Sequence, residues 1–450
     1  MSNKIDLNST YLEKITTLIK QKESAKLTKI ITDIHSADIA KIINNLSKEN
    51  AKYIYDLIKE DSIYASVIIN LENDFREDLL NSLSAKKIAE NVIENLETDD
   101  AADLIGELSE EKKEKVLNYI EDKNHASDIS DLLNYPEDTA GGIMAKELIK
   151  VNQKWNTVQC LKEMRKQANN IKNVYTIYVV DDNNKLLGLM SLRKLLITEK
   201  STSIKEIMNT DIISVKATKK NEAVANIMQK YDLIVLPVVD NIGRLLGRIT
   251  IDDVIDLVKE EADKDYQMAS GISDDIESND SIWNLTKARI PWLIIGMIGG
   301  VFGAQIIGIF DLKKNFELAF FIPLITAMGG NVGVQSAAII VQGIANDSLK
   351  LESIFQKLVK ELGIGIINGV ICSIIILIII IAIGYNLKLS LAVSISLLAV
   401  IIFAALFGTI TPLTLKKYNI DPALATGPFI TTANDVLGLF IYFWICQSII

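Results

Sequence analysis

Beyond residue 289 the chain holds five long apolar runs, at 290–310, 318–344, 362–385, 391–415 and 423–449. Each is long enough to cross a bilayer as a helix. Inside hydrocarbon only helices and closed barrels satisfy their own backbone polar groups. The pattern therefore predicts a five-helix membrane domain over 289–450.

The last run contains ALATGPFITTANDVLGLFIYFWI (423–445), which carries a single charge, Asp435. A carboxylate near the middle of a membrane helix costs at least ~2.5 kcal/mol on insertion scales. Such a residue faces a bundle interior or a wet cavity, where a cation or a partner offsets the cost. Thr431, Thr432 and Asn434 lie within one turn and offer oxygen ligands without adding charge. Two readings stand: a packing carboxylate neutralised by protonation, or a cation site in a transport path.

The other runs carry smaller cues. The first has Gly296 with Gly300 and Gly299 with Gly303, spacings that let helices pack closely. The second holds PLITAMGGNVGVQSAA (323–338), where Pro323 and Gly329-Gly330 are expected to weaken the helix. Asn331 and Gln335, four apart, share a face there. They serve as polar helix glue or as contacts for an ion's waters.

Charge divides the chain at the same boundary. There are 50 acidic and 38 basic residues before Arg289, against 7 and 9 from it onward. An acidic body argues against nucleic acid, which needs a basic face, and suits cations. Cys160, Cys372 and Cys446 are too scattered for a disulfide framework or a CxxC site. His35 and His125 lack HExxH spacing and read as helix-surface residues. The first 30 residues are polar, so no secretory signal is expected and the N-terminus is placed in the cytoplasm. Five spans then put the C-terminus outside. The inward connections hold five lysines (Lys350, Lys357, Lys360, Lys416, Lys417) and the outward ones three, in the positive-inside sense.

Residues 1–135 read as short amphipathic helices, with Leu27, Ile30, Ile31 and Ile34 followed by Ile39, Ile42, Ile43 and Leu46. Ser36, Ser84 and Thr98 are N-cap candidates, and the helices are expected to stack in a superhelical array. Glu97, Asp99, Asp100 and Asp103 crowd one helix start. They either complement the helix dipole or form a cation-responsive patch.

Residues 136–258 are a tandem repeat, about 136–200 and 201–258. GIMAKELIKV (142–151) matches EIMNTDIISV (206–215) at an offset of 64. YVVDDNNKLLGLMSL (178–192) matches PVVDNIGRLLGRITI (237–251) at an offset of 59, so the first copy has five extra residues, assigned to 167–173. Each copy reads strand, helix, strand, turn, strand, helix, and resembles a CBS domain. The second copy ends in a dense acidic helix: Asp252, Asp253, Asp256, Glu260, Glu261, Asp263 and Asp265. A solvated face is the usual fate of a charge run. Here the helix precedes the membrane domain, with Glu222 and Asp232 as expected neighbours. Asp274, Asp275, Glu277 and Asp280 continue an acidic linker helix over 259–288.

The apolar runs lack the two intramembrane carboxylates of a membrane protease, and the sequence lacks both the alternative HExxH and the GK[ST] loop of a pump, so no enzyme activity is expected. The order of parts, with the motifs PLITAMGGNVGVQS and DPALATGPFITTANDVLGL, resembles the MgtE-type magnesium transporter/channel family over essentially the whole chain. The resemblance implies a multidomain membrane protein: an all-α superhelical N-terminal domain, an α/β CBS pair, a linker (plug) helix and five all-α spans. It implies a homodimer in the cell membrane, with an ion path at the subunit interface. Asp435 would sit at the central site for hydrated Mg²⁺. Intracellular Mg²⁺ bound among the N-domain, second CBS copy and linker would close the path. Onto this sequence that carries Glu222, Asp232, Asp253, Glu261 and Asp265, with Asp99, Asp100 and Asp103 from the acidic patch and Asn331 and Asn434 near the pore. Lys220 and Lys264 stand where the family often has acids. ATP at the CBS pair is a further candidate ligand, and Mn²⁺ and Co²⁺ are further candidate ions.

The physics accommodates this. Mg²⁺ prefers six oxygens and sheds water reluctantly, so few carboxylates suffice to hold it through its waters. Two carboxylates ~5 Å apart repel by ~3 kcal/mol at an effective dielectric of ~20. A gate swung from 1:99 to 99:1 needs ~5.5 kcal/mol. The alternatives are a CBS-regulated carrier for another solute and a membrane-anchored cation sensor.

Overall fold

The computed structural model describes residues 9–168, 171, 173–273, 276, 280–310, 315–345, 354–425 and 427–450. Asp274, Asp275 and Glu277 of the acidic linker, and Asp311, Lys313, Lys314 and Lys350 of the connections, lie outside them. Residues 169, 170 and 172 of the expected insertion do as well. The chain forms two compact units, Met1–Val258 and Lys259–Ile450.

The first unit opens with helices α1 (Ser9–Lys20), α2 (Ser24–Asp33), α3 (Ser36–Asn44), α4 (Lys48–Asp56) and α5 (Asp61–Ile69). It continues with α6 (Asn73–Ser82), α7 (Ala85–Asn91), α8 (Thr98–Gly106), α9 (Glu110–Tyr119) and α10 (Lys123–Leu132). The apolar rows are inside: Leu27, Ile31, Ile39, Ile43, Ile88, Ala101 and Ile105 are all buried. Ser84 caps α7, accepting from Lys87 N at 3.2 Å. The other two caps fall one residue earlier than expected. His35 caps α3, its Nδ1 accepting from Ala37 N at 3.2 Å. Glu97 precedes α8, because the Thr98 hydroxyl is engaged elsewhere, donating to Glu147 Oε2 at 2.8 Å.

The repeat follows. Its first copy runs β1 (Ile149–Asn152), α11 (Thr157–Gln167), β2 (Ile177–Val180), β3 (Leu186–Met190) and α12 (Leu192–Ile197). After α13 (Ile204–Ile207) the second runs β4 (Val215–Lys216), α14 (Asn221–Lys230), β5 (Val235–Val239), β6 (Leu245–Thr250) and α15 (Ile251–Ala269). Each three-stranded sheet pairs its first two strands parallel and its last two antiparallel. The copies exchange their leading segments. Ala145 bridges Arg248, and Asn209 bridges Leu189, positions related by the repeat's own offsets of 64 and 59.

That exchange explains the shared LLG. A β-carbon on Gly247 would lie 2.6 Å from Ala145 O and 3.0 Å from Met144 Sδ, and one on Gly188 would lie 2.8 Å from Met208 Sδ. Each glycine makes room for the other copy's methionine. The core of the second copy (Val224, Met228, Leu236, Val238, Ile249) is continuous with that of the helical domain, while the first copy has its own.

The second unit contains α16 (Ile282–Ile309), α17 (Ile322–Ala345), α18 (Ile354–Ile383), α19 (Leu387–Lys417) and α20 (Pro428–Ile449), with a 3₁₀ turn Phe316–Phe321 leading into α17. These five helices are long and apolar enough to cross a membrane. The most buried, α19, packs against α17, α18 and α20, while α16 packs on α20.

Several boundaries correct the expectations. The acidic helix is one element with the end of the second CBS copy, stops at Ala269, and α16 starts at Ile282, seven residues before 289. The second span is not loosened. Pro323 falls in the first turn of α17, where a missing N–H is harmless, and the helix continues through Gly329, Gly330 and Gly333 because neighbouring helices pack there. The third span starts at Ile354, which brings Lys357, Lys360 and Glu361 into the helix rather than a connection. The fifth starts at Pro428, after a 3₁₀ turn Pro422–Ala425 and Gly427 at φ +61°.

Candidate functional site

Asp435 lies two turns into α20, half-buried. A β-carbon on Gly330 of α17 would stand 3.9 Å from its Oδ1 and 3.6 Å from Thr431 Cγ2. Thr431 and Asp435, four apart, thus share the face that meets Gly330. Among the described residues Asp435 has no hydrogen-bond or ion-pair partner.

The other expected oxygens are arranged differently. Thr431 Oγ1 donates back to Gly427 O at 3.2 Å and Pro428 O at 3.0 Å. Thr432 turns to α16, its Cγ2 filling the space beside Gly299. Asn434 is 1% exposed and wedged on Gly333, and among the described residues neither of its amide atoms has a hydrogen-bond partner. It backs the helix, and only Thr431 stands on the face of Asp435. Asn331 and Gln335 are exposed along α17.

The membrane unit also contains charges that hydropathy missed. Glu361 (9% exposed) accepts from Ser336 Oγ of α17 at 2.5 Å, and Lys357 one turn earlier is 6% exposed. Asp435 is therefore not the sole charge inside the bundle, as the apolar runs had suggested. A spacing of four was the readable signal: Lys357, Glu361, Gly365, Gly369 and Ser373 are all buried along one stripe of α18.

At the start of α20, a β-carbon on Gly427 would lie 2.1 Å from Ala269 O, the end of α15. One on Gly271 would lie 2.5 Å from the Pro428 ring. The C-terminal end of the acidic helix thus abuts the first turn of the helix that carries Asp435.

In the first unit, Asp99 is almost fully buried at the start of α8, accepting from Asp100 N at 2.9 Å. Burial, and then the charges of Asp100, Asp253 and Glu147, hold its carboxyl well above the usual range. Asp103, exposed along one side, is raised to about 7 by burial and by Asp100, Glu137 and Glu107, with Arg76 opposing. Burial also raises Asp253, although its hydrogen bond from Thr250 Oγ1 at 2.5 Å works against that. Asp99, Asp100, Asp103 and Asp253 therefore belong to one neighbourhood.

Glu222 is exposed in the first turn of α14 and Asp232 is exposed just past its end, about 15 Å apart at 1.5 Å per residue. Glu261 and Asp265 are partly buried along α15. Among the described residues no three His, Cys, Asp or Glu side chains converge to grip a bare metal ion.

A network unseen in the sequence locks α8 to the repeat. Glu147 accepts from Thr98 N at 3.1 Å as well as from its hydroxyl. Arg248, 3% exposed, donates to Glu97 Oε2 at 3.0 Å and to Glu147 O at 2.5 Å, and lies over the Tyr175 ring. Its repeat equivalent is Leu189, so a comparison of the two copies singles it out.

Five spans joined to a helical domain and a CBS pair define a multi-pass membrane protein with a large domain outside the spans. Comparison with known proteins narrows the class. A family model described as divalent cation transporter matches 322–445, the MgtE intracellular N domain matches 34–138, and the CBS domain matches 140–198 and 204–260. The magnesium transporter MgtE of Bacillus subtilis is 32% identical over 321 residues, 71% of each chain. That of Thermus thermophilus is 33% identical over 333 residues, covering 73% of this chain and 74% of its own. Among solved structures, the cytosolic domain of the Mg²⁺ channel MgtE in complex with ATP aligns at TM-score 0.51 and 29% identity, over 55% of this chain and 99% of that one. The chain belongs to the MgtE family of magnesium transporters. Both of these relatives are named as magnesium transporters.

Proposed function

We propose that this protein passes hydrated Mg²⁺ through a path at the interface of a homodimer, and that Mg²⁺ bound to its acidic cytosolic parts closes the path. The observation that carries the reading is Asp435: a half-buried carboxylate in a spanning helix, without a partner among the described residues. Leaving it so is costly, and a visiting divalent cation with its water shell offsets the cost. Asp435 then supplies the charge, Thr431 an oxygen on the same face, and Asn331 an exposed amide beside Gly330. Asn434 sets the distance of α20 from α17 rather than touching the ion. Exposed amides at Asn331 and Gln335 are unfavourable toward lipid, which supports a second copy and water covering that face of α17. A cytoplasmic N-terminus and an external C-terminus belong to the same reading.

Closure is the work of the acids. The raised carboxyls of Asp99, Asp103 and Asp253 are groups whose charges repel, and Mg²⁺ relieves that repulsion through its waters. Glu222, Asp232, Glu261 and Asp265 are outlying contributors, as exposed or partly buried acids. With Mg²⁺ absent, the repulsion draws the end of α15 from the first turn of α20, and the path opens. Limited proteolysis of the 270–281 linker at low and high Mg²⁺ tests this: faster cleavage at low Mg²⁺ is expected, and equal rates contradict the switch.

The donors beside the CBS pair suit a polar ligand such as ATP, since Arg248 Nη1 and the Tyr178 hydroxyl are buried and unpaired. The cavity they line with Tyr175 and Ile171 is only about 10 Å³, room for one water. That cavity is too small for a nucleotide, but ATP is a ligand proposed for the CBS pair as a whole, since the similar cytosolic domain of the Mg²⁺ channel MgtE is solved in complex with ATP. A carrier for an anionic solute would use basic groups, but Lys357 is buried beside Glu361 on α18 and does not line an open face.

A further inference from the structure

Two helices flank α19 in the membrane unit, α17 on one side and α18 on another, and they make little direct contact with each other. The two are held to α19 in different ways. On α18, Gly365 and Gly369 receive side chains of α19: β-carbons there would lie 3.2 Å from Ala405 Cβ and 2.7 Å from Leu398 Cδ1. That is interlocked packing with a defined register. On α17, the contact at Gly333 and Gly408 is backbone on backbone, since a β-carbon on Gly408 would lie 2.3 Å from Gly333 O. One turn away, Gly329 meets Val400 with no side chain of its own. Val400 of α19 fills the space beside Gly329, and Asn434 of α20 that beside Gly333, so α17 is seated on both helices at positions where it has no side chain of its own.

A directional polar contact adds to this packing. Ser336, three residues beyond Gly333, donates to Glu361 at 2.5 Å, and both residues are buried. Within a membrane unit such a bond has little competing water. Two turns back from Ser336 on α17 is Gly330, the position facing Asp435 and Thr431. A shift of α17 by one residue, about 1.5 Å, would carry Gly330 off that face and change the space beside the Asp435 carboxylate.

We infer that Glu361 is a positioning residue for ion binding: through its bond from Ser336 it sets the register of α17 against α20, and so the geometry at Asp435. This rests on the reading of Asp435 as the ion site. Glu361 acts through its acceptor oxygen and not as a second ion ligand, because that oxygen is already engaged and the residue is closed off from solvent.

The test is Mg²⁺ flux into liposomes by the purified full-length protein, with half-saturating Mg²⁺ and maximal flux measured separately. Ser336→Ala and Glu361→Ala are expected to raise the half-saturating concentration roughly tenfold, the scale of one hydrogen bond to a charged group. Glu361→Gln, whose amide oxygen still accepts, and Ser336→Thr, which keeps the hydroxyl, are expected to recover most of it. A fall in maximal flux alone, at unchanged half-saturation, marks a purely structural role and overturns the inference. A Glu361→Gln protein as impaired as Glu361→Ala overturns it too, because charge would then be the requirement. Should Glu361→Ala not survive purification, Ser336→Ala, which removes one hydroxyl, carries the same comparison. Asp435→Asn is the separate arm: normal flux there rejects the ion site itself, whereas its loss alongside unchanged Ser336→Ala and Glu361→Ala rejects only the positioning role.

Discussion

Gly427 and Ala269 touch through their backbones: a β-carbon on Gly427 would stand 2.1 Å from the Ala269 carbonyl oxygen. Gly427 is also left-handed, at φ +61°. No other residue fits both the space and the torsion without strain. Gly427→Ala is therefore expected to push the end of α15 away from α20. If that contact closes the path, the variant keeps conducting at internal Mg²⁺ levels that shut the unaltered protein. Flux from liposomes loaded with graded Mg²⁺ measures this, and an unshifted inhibition curve would show the contact to be passive.

The acid neighbourhood around α8 makes the first unit sensitive to pH. Asp99, Asp103 and Asp253 have raised carboxyls, so the folded state holds more protons than the unfolded chain above the usual carboxylate range. Stability then falls as pH rises through that window, up to about 7 for Asp103. Hydrogen exchange of the full-length protein without divalent cations should show α8 better protected near pH ~6 than near pH ~8, after correction for intrinsic rates. Mg²⁺ should restore protection at the higher pH. Asp99→Asn should flatten the dependence; a profile as steep as before would remove Asp99 from the account.

Arg248 is a sharper structural test. Its guanidinium is buried and paired with Glu97. Removing one partner of a buried pair typically costs about 3–5 kcal/mol. Arg248→Ala should lower the unfolding midpoint of the first unit by an amount on that scale. Leu189→Ala, at the equivalent place in the other copy, removes apolar contact and no charge partner. Equal effects from the two would mean the ion pair contributes nothing beyond packing.

The glycines of α17 and α19 differ in a way that calorimetry in detergent can read. A methyl on Gly330 meets only ordinary contacts of 3.6 Å and more. On Gly408 it strikes the Gly333 backbone, and on Gly333 it strikes Asn434 Nδ2 at 2.0 Å. Gly408→Ala should destabilise by about 1–3 kcal/mol or more, as overpacking does, and Gly330→Ala by much less. The reverse order would contradict the helix packing described here.

Much of this architecture is legible in the sequence because it repeats or because it is long. The five spans stand out by length, and the CBS pair by two offsets that the Ala145–Arg248 and Asn209–Leu189 bridges reproduce. Asp435 stands out as a charge in an apolar run. What is hidden depends on direction and on ends. Hydropathy sets the third span at Leu362, one residue past Glu361, so the buried Lys357 reads as a connection charge and the buried Glu361 goes unnoticed. Thr432 and Asn434 are within a turn of Asp435, but at 100° per residue they face α16 and α17. Glu222 and Asp232 lie close in sequence, yet the length of α14 separates them from each other. Thr98 looked like a cap because of its residue type, while Glu147, 49 residues away, claims its hydroxyl.

The most direct measurement is Mg²⁺ flux through purified protein in liposomes, comparing Asp435→Asn with the unaltered chain at matched reconstitution. The account predicts that flux is lost while the protein stays folded and inserted. Flux that continues at the unaltered rate would contradict it.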